Sequence, residues 1–473
     1  MPLGIFMFLL VWPLHWSTAV SIVRFCLCFQ GDRMSHMSER SQSFLTPLGW
    51  LLALFAGWAA WWQGSRNSQP DDWASLWVGG RIVADGHADS LYSIDPTDFG
   101  NPTGPVWAEY GEKVSDLAPF AHPFVHNPLV AYVLAPVTQL MSFSTSASVL
   151  LVLSGISVVL FSAGCINLWT RQTPQIVPLI IASVAVWVSA STQLSFWIGQ
   201  TTPIIMMLIV VGLCMSVRRP WLSGLLLSIA VLIKLTPVLI VVIMLIFAKR
   251  RRAGVWAAGL SLLWGLLTLI VAPGPVIGAW LQTLGWLGSK TLVSPINQSL
   301  ASLLARGQQP EGSIVAVIDE APASVMWWSF GIVLVTIALF LFTLIRLKDF
   351  RFEICAVVAF LGVTALAGIV WTHYTMVAFV AVAGLVVLSE KTSWWAVLGL
   401  LPAVLLFPPF GEAFVSAERT PNSLMWAGFL SLVIPMIVLA GMGLGARPEI
   451  RSERTLRWGS LVASVKEIVS GRG

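Results

Sequence analysis

Charged residues are scarce in this sequence. Of its 473 residues only 10% are Asp, Glu, Lys or Arg, whereas 57% are hydrophobic. Soluble domains carry about 25% charged residues and are about half apolar, so this composition excludes an ordinary soluble domain. The formal net charge of +5 does not indicate nucleic-acid binding either. The basic residues cluster in short loops beside apolar segments, where such residues set membrane orientation.

Cysteine is also rare, and the motifs of common soluble enzymes are missing. The five cysteines form neither a Cys-x-x-Cys pair nor a Cys/His pattern with metal-ligand spacing. We therefore expect no structural disulfide, no metal site and no bound cofactor. The sequence contains no P-loop, no Gly-x-Ser-x-Gly and no His-Glu-x-x-His, which argues against the soluble-enzyme chemistries that those motifs serve.

Apolar segments of about 20 residues recur along the chain, the length that a helix needs to cross a hydrocarbon core of about 30 Å. The 24 tryptophans fit the belts that such residues form at membrane interfaces. These features predict an all-α, polytopic integral membrane protein with about 12 transmembrane helices. We expect an N-terminal extension over 1–44 (an extra helix or an over-long gene model), a transmembrane domain over 45–445 and an amphipathic cytoplasmic tail over 446–473.

The distribution of charge orients the predicted spans. The stretch 64–126, which follows a first span over 45–63, contains nine acids and only three Lys or Arg. Because basic loops stay in the cytoplasm, we expect this stretch to lie outside, together with the loops 274–324 and 408–423. The basic run Lys249–Arg252 should lie inside.

The middle of the chain allows two topologies. Six apolar segments separate the acidic loop from Lys249–Arg252, although the two lie on opposite predicted sides and an odd number of crossings is required. Either 127–142 dips into the membrane and returns, or 221–248 forms one merged span. We favour the first topology, which keeps Arg171, Arg218 and Arg219 inside and points the break Lys234–Pro237 outward.

Unusual polar residues collect at the ends of spans on the predicted outer side, which suggests one shared site. Lys234 is the hardest to explain structurally, because a lone lysine costs roughly 2.5–3.5 kcal/mol at a bilayer centre. The acid pair has an ordinary alternative role at a helix start, and the Asn297-Gln298 pair could cap a helix that begins near Ser299. The candidates are Asp71, Asp72, His126, Gln200, Lys234, Asn297, Gln298, Arg306, His373 and Tyr374.

The order of the motifs resembles a known family. After the first span comes D-W-x-x-L-W-x-x-G-R, followed by LYSIDP, HNPL, IGQTTP, SGLLLSIAVLIKLTPVLIVV with AKRRR, NQSL and W-x-H-Y. Over about 45–445 this set resembles the bacterial polyprenol-phosphate-mannose-dependent mannosyltransferases of the GT-C superfamily, such as the phosphatidylinositol-mannoside mannosyltransferases. Many relatives have Tyr-Pro-Pro where this chain has His126-Asn127-Pro128.

The resemblance implies a membrane glycosyltransferase of GT-C architecture in the bacterial plasma membrane, with its active site in the external loops. It implies transfer of mannose, or of arabinofuranose as in some relatives, from a polyprenyl phosphate to a lipid-linked or cell-envelope glycan. In that superfamily an aspartate of the first external loop is the catalytic base. The aligned run places it at Asp72, with Asp71 as the near alternative. The implied partners are the donor, the acceptor and membrane lipids, and no nucleic acid.

The candidate residues suit this chemistry. A carboxylate can take the proton of an acceptor hydroxyl, and Lys234, Arg306 or His373 could neutralise the leaving phosphate. The donor phosphate carries one charge, so fixed cations can suffice without a divalent metal, and inversion would turn a β-linked donor into an α-glycoside. A lipid-linked glycan polymerase and a secondary transporter remain alternatives. Charges that gather near one face argue against the transporter.

Overall fold

The computed structural model describes residues 44–93, 104–118, 122–310, 315–347, 350–388 and 422–445. The predictions for 1–43, 389–421 and 446–473 therefore lie outside the described residues. The described part is all-α apart from two short strands, as predicted. The helices are α1 (Pro47–Asn67), α2 (Asp71–Ala84), α3 (Pro105–Glu112), α4 (Pro128–Leu140), α5 (Phe143–Thr170), α6 (Ile176–Trp187), α7 (Ala190–Ile198), α8 (Thr202–Met215), α9 (Pro220–Ile233), α10 (Val238–Ile246), α11 (Arg251–Val271), α12 (Gly274–Ser289), α13 (Leu300–Ala305), α14 (Ala323–Arg346), α15 (Arg351–Leu366), α16 (Ala378–Leu388) and α17 (Asn422–Gly445).

The two strands form a small antiparallel hairpin between α12 and α14. Strand β1 (Thr291–Val293) pairs with β2 (Ala316–Ile318), and Thr291 stands opposite Ile318. Strand β1 leads into the polar segment 294–299 and α13, and β2 follows α13, so the pairing of the strands closes a loop that contains this segment.

Helices α1 and α5 pack closely through small residues. A Cβ atom on Gly155 of α5 would lie 2.3 Å from the main-chain oxygen of Ala56, so the two backbones approach as closely as glycine allows. Small residues at such spacing are the usual means by which helices associate in lipid, where apolar surface gives no driving force of its own. The small residues buried on α1 are Gly49, Ala53, Ala56, Gly57, Ala60 and Gly64.

The chain breaks at Lys234, as the sequence predicts. Helix α9 ends at Ile233, and α10 begins only at Val238, directly after Pro237. The two helices flank α11: Gly224 near the start of α9 meets Trp256, and Gly254 of α11 meets Leu245 near the end of α10. The residues before α9 and after α10 therefore lie at the same end. Residues 221–248 therefore form a helical hairpin and not one merged span.

Several basic turns meet at one end of the helical body. Arg250 donates to Ser216 at 2.5 Å and pairs with Glu353 at 2.8 Å, and the guanidinium of Arg171 lies over the ring of Phe350. These contacts join the turns before α6, α9, α11 and α15. We call this the basic end. The other ends of α8, α9 and α15 lead to Gln200, Lys234 and His373, so those residues lie at the opposite end.

Fewer helices have spanning length than the sequence predicts. Three described helices are long and apolar enough to cross a membrane: Phe143–Thr170, Arg251–Val271 and Ala323–Arg346. The pair Ile176–Trp187 and Ala190–Ile198, bent by 64°, could supply a fourth. The expected 12 crossings are therefore not confirmed. Prolines and polar caps divide the apolar segments into shorter helices. At Ser189, for example, the side chain accepts a hydrogen bond from the main-chain nitrogen of Thr192, and α7 begins there.

Candidate active site

A cavity of about 350 Å³ lies at the end opposite the basic end. Its wall combines the first turn of α2, the segment before α4, the turn between α7 and α8, the break after α9, part of α12 and the segment between α15 and α16. Six of the predicted site residues line it together: Asp72, His126, Gln200, Lys234, His373 and Tyr374.

Asp72 occupies the first turn of α2, yet it does not cap that helix. The residue at the cap position is Pro70, and no side chain there accepts a hydrogen bond from the first turn. The Asp72 carboxylate instead turns toward the cavity, where Oδ2 accepts from the Gln200 amide and Oδ1 lies 2.9 Å from Nε2 of His122. The helix start still favours a negative charge at this position through its dipole.

Gly199 brings Gln200 to Asp72. It has a φ of +70° as the residue that ends α7, a conformation that L side chains rarely adopt. A Cβ atom here would lie 2.8 Å from Cβ of Pro70 and 3.0 Å from Cβ of Trp73. The turn can therefore lie directly against the start of α2 only because the residue is glycine.

The charges around Asp72 keep its carboxyl ionised. Burial raises the pKa of Asp72, but the charge and hydrogen bond of His122 oppose burial, with smaller contributions from His373 and Gln200, and the net shift is below the ordinary value. For His122, burial lowers the pKa, but the Asp72 carboxylate outweighs it and the net shift is upward. Asp72 and His122 thus form a mutually stabilised ion pair beside the cavity.

Lys234 reaches the cavity from the end of α9. Its ammonium nitrogen lies 3.5 Å from the ring centroid of Tyr374, a cation–π contact. Among the described residues no carboxylate lies within ion-pair distance of it. Burial lowers the pKa of the Lys234 ammonium to about 7, with partial opposition from the Asp72 charge, so an anion bound beside it would favour the charged form.

His373 is buried in the wall, at 1% exposure. Neither ring nitrogen finds a hydrogen-bond partner among the described residues, and the ring lies edge-on to Tyr374 with centroids 4.7 Å apart. Buried polar atoms are normally paired, and His373 lines the cavity, so its two nitrogens are candidates for hydrogen bonds to a ligand there.

His126 is held in one tautomer. Its Nδ1 lies 3.1 Å from the carbonyl oxygen of Ile233, and a carbonyl only accepts, so Nδ1 carries the hydrogen. Burial lowers the pKa of His126, and the ring is therefore neutral with Nε2 left as an acceptor. The main-chain oxygen of His126 also accepts from Tyr92 at 2.5 Å. The residue is thus fixed before any ligand binds.

Asn297 supports the site from behind the wall. Its amide nitrogen donates to the Leu292 carbonyl at 2.6 Å, and its amide oxygen accepts from the main-chain nitrogens of Val370 and Ser299. Asn297 also forms a bridge with Trp371. These bonds fix the segment that carries His373.

Three further candidates lie outside the cavity wall. Asp71 is buried on α2, Arg306 follows α13, and Gln298 is buried against Gly428 of α17. Gln298 bonds through its main chain, whose nitrogen donates to the Val370 carbonyl at 2.7 Å. In the described ranges, no group of three or more His, Cys, Asp or Glu is placed to hold a metal ion.

Sequence reasoning missed His122. The chain has only six histidines, and His122, His126 and His373 all line the cavity. The segment H-P-F-V-H contains two of them, which is the signal that could have drawn attention to the first. Its main-chain oxygen accepts from the Ser75 hydroxyl of α2, so α2 fixes the loop as well as the carboxylate.

Part of the chain matches a known protein family. A family model described as glycosyltransferase family 87 matches residues 124–367, somewhat more than half of the chain. No curated protein and no solved structure matches. The matched region contains His126, Gln200 and Lys234 of the cavity, whereas Asp72, His122 and His373 lie outside its limits.

Proposed function

Since this chain belongs to glycosyltransferase family 87, we propose that it transfers mannose from a polyprenyl-phosphate donor to a lipid-linked or cell-envelope glycan acceptor. The chain is a glycosyltransferase, and the proposal concerns the sugar, its carrier and the side of the membrane. The observation that carries it is the presence of an ionised carboxylate, Asp72, and an ammonium without a carboxylate partner, Lys234, in the wall of one cavity.

Asp72 acts as the general base in this proposal. The acceptor oxygen forms a bond to the anomeric carbon of the sugar while the bond from that carbon to the phosphate oxygen breaks. The acceptor proton passes to the Asp72 carboxylate, and the electron pair of the broken bond stays on the phosphate. Attack from the side opposite the leaving group inverts the anomeric centre.

The phosphate of the donor fits beside Lys234 and His373. The phosphodiester carries one negative charge and gains charge as the sugar leaves, so fixed donors placed there stabilise the transition state more than the ground state. Lys234 offers an ammonium, and His373 offers a ring N–H that lacks a partner among the described residues. His126 supports sugar recognition, because its Nε2 can only accept and suits a sugar hydroxyl.

The remaining wall suits an isoprenoid chain. It is apolar and comes mainly from α12 and from both sides of the break after α9. Helix α12 buries only two of its residues, which leaves it at the edge of the fold, where a lipid could enter from the bilayer. The apolar wall residues there are Leu232, Leu235, Trp280, Leu284 and Leu287.

The reaction takes place at the outer face in this proposal, in the bacterial plasma membrane. The support is the separation of the cavity from the basic end, because basic loops remain in the cytoplasm. Single cysteines in a background that lacks the five native ones test this orientation. We expect a cysteine at exposed position 89 to react with an impermeant thiol reagent on intact cells, and one at position 252 to react only after lysis. Labelling of position 252 from outside would refute the orientation.

Turnover by purified protein tests the reaction itself. Supplied with radiolabelled polyprenyl-phosphate-mannose and an extracted lipid acceptor, the protein should release polyprenyl phosphate and form a labelled glycolipid. If the protein used only an arabinofuranosyl donor, the proposed sugar would be wrong and the proposed mechanism would stand. Repeated addition to a growing glycan would indicate a polymerase. Movement of the donor across vesicles without bond cleavage would favour a transporter and contradict the proposal.

A further inference from the structure

We infer that His122 is the positioning residue of the base: it holds the Asp72 carboxylate in place and sets the pH range in which that carboxylate stays ionised. The inference rests on the proposed role of Asp72. It assigns to His122 a function that neither the motifs nor the family match indicates, since His122 lies before the matched region.

The carboxylate is held from two sides. Nε2 of His122 lies 2.9 Å from Oδ1, and the Gln200 amide donates to Oδ2. The two partners belong to separate segments. The His122 carbonyl accepts from Ser75 of α2, and the nitrogen of Gln69, just before α2, donates to the Trp197 carbonyl at 2.7 Å. A carboxylate with both oxygens engaged cannot rotate, so its remaining lone pairs face one direction. General-base catalysis requires such fixed geometry.

His122 is the strongest favourable charge acting on Asp72. Burial raises the pKa of the Asp72 carboxyl, and among the groups that oppose burial His122 contributes most. Its own pKa is raised by Asp72, with a smaller contribution from Asp71. The other titratable groups that face the pair from neighbouring elements are His126, Lys234, His373 and Tyr374. None of these bonds directly to the carboxylate.

Loss of the His122 charge should raise the pH at which activity is lost. Asp72 works as a base only when ionised, so activity is lost as the pH falls through its pKa. Without the His122 cation, less positive charge offsets the effect of burial, so the pKa of Asp72 rises. The acid limb of the pH profile should therefore move to higher pH.

Two variants separate the charge of His122 from its hydrogen bond. His122→Ala removes both, so we expect the acid limb of kcat/KM to move to higher pH and kcat at the pH optimum to fall. His122→Gln keeps an N–H donor but no charge, so it should restore kcat at the optimum while the limb stays shifted. KM for the donor should change little in both, because Lys234 and His373 serve the phosphate. His87→Ala is the control. It removes an exposed histidine outside the cavity, and its pH profile should be unchanged.

The outcomes distinguish this inference from the proposed function. An acid limb that stays in place in both variants overturns the role of His122, even if Asp72→Asn is inactive. An active Asp72→Asn enzyme overturns the base itself and the inference with it. The wild-type profile gives a test that needs no variant. Wild-type kcat/KM should hold until the pH falls below the ordinary range of a carboxyl pKa, because the Asp72 pKa lies below its ordinary value; loss of activity in or above that range contradicts the inference.

Discussion

Asp72→Asn should lower turnover by about two to four orders of magnitude, the usual range for loss of a general base. Asparagine keeps the size of the side chain and can still meet Gln200, but its amide cannot take a proton from the acceptor. Donor binding should stay nearly intact, because the carboxylate serves the acceptor and not the phosphate. Single-turnover rates and donor affinity, measured on the same preparation, check both statements.

Two neighbouring aspartates make this experiment discriminating. Asp71→Asn changes the adjacent residue, which is buried but does not line the cavity, and it should have a mild effect. Asp89→Asn, at an exposed position, should have none. An active Asp72→Asn beside an inactive Asp71→Asn would move the base by one residue. If both variants remained active, a base in this acid pair would be excluded.

Lys234→Met should weaken donor binding by roughly 10- to 100-fold, since a hydrogen bond to a charged group contributes about 1.5–3 kcal/mol. Methionine keeps the length and the apolar stem of the side chain and removes the charge. The ammonium has no carboxylate partner among the described residues, so its removal leaves no opposite charge unpaired. Without donor, the thermal stability should therefore be unchanged or higher, whereas stabilisation by added donor should diminish.

The matched control is Lys290→Met. Lys290 lies at the same end of the fold but outside the cavity, where it pairs with the exposed Asp319 at 2.7 Å. It should leave donor affinity unchanged. Unchanged donor affinity in Lys234→Met would refute the phosphate-binding role. A large loss of stability without donor would instead mean that the contact with Tyr374 is structural.

The sequence predicts some elements of the structure and not others. The break after α9 could be predicted, because a lysine and a proline interrupt an apolar run and both oppose a continuous helix in lipid. The length of the helices could not. Apolar composition alone does not reveal that Ser189 starts a new helix or that Gly199 ends it, so the apolar stretch 176–198 forms two helices, α6 and α7, bent by 64°.

The roles of the individual site residues also could not be predicted from the sequence. Asn297 was predicted as a ligand-binding or capping residue, and the structure places it behind the wall, where it fixes the segment that leads to His373. Arg306 and Gln298 carry suitable chemistry but lie outside the cavity. Residue type indicates what a side chain can do, whereas its distance from the other groups depends on how separate helices pack.

The sequence by itself determined that this is an all-α membrane protein in which polar residues at span ends form one candidate site. Charge is so costly in an apolar chain that each retained acid or base is informative. Only the tertiary structure decided which aspartate faces the cavity, because successive residues on a helix point about 100° apart. It alone joined Asp72 to His122 and Gln200, 50 and 128 residues further along the chain, since contacts over such separations arise from helix packing and leave no local pattern in the sequence.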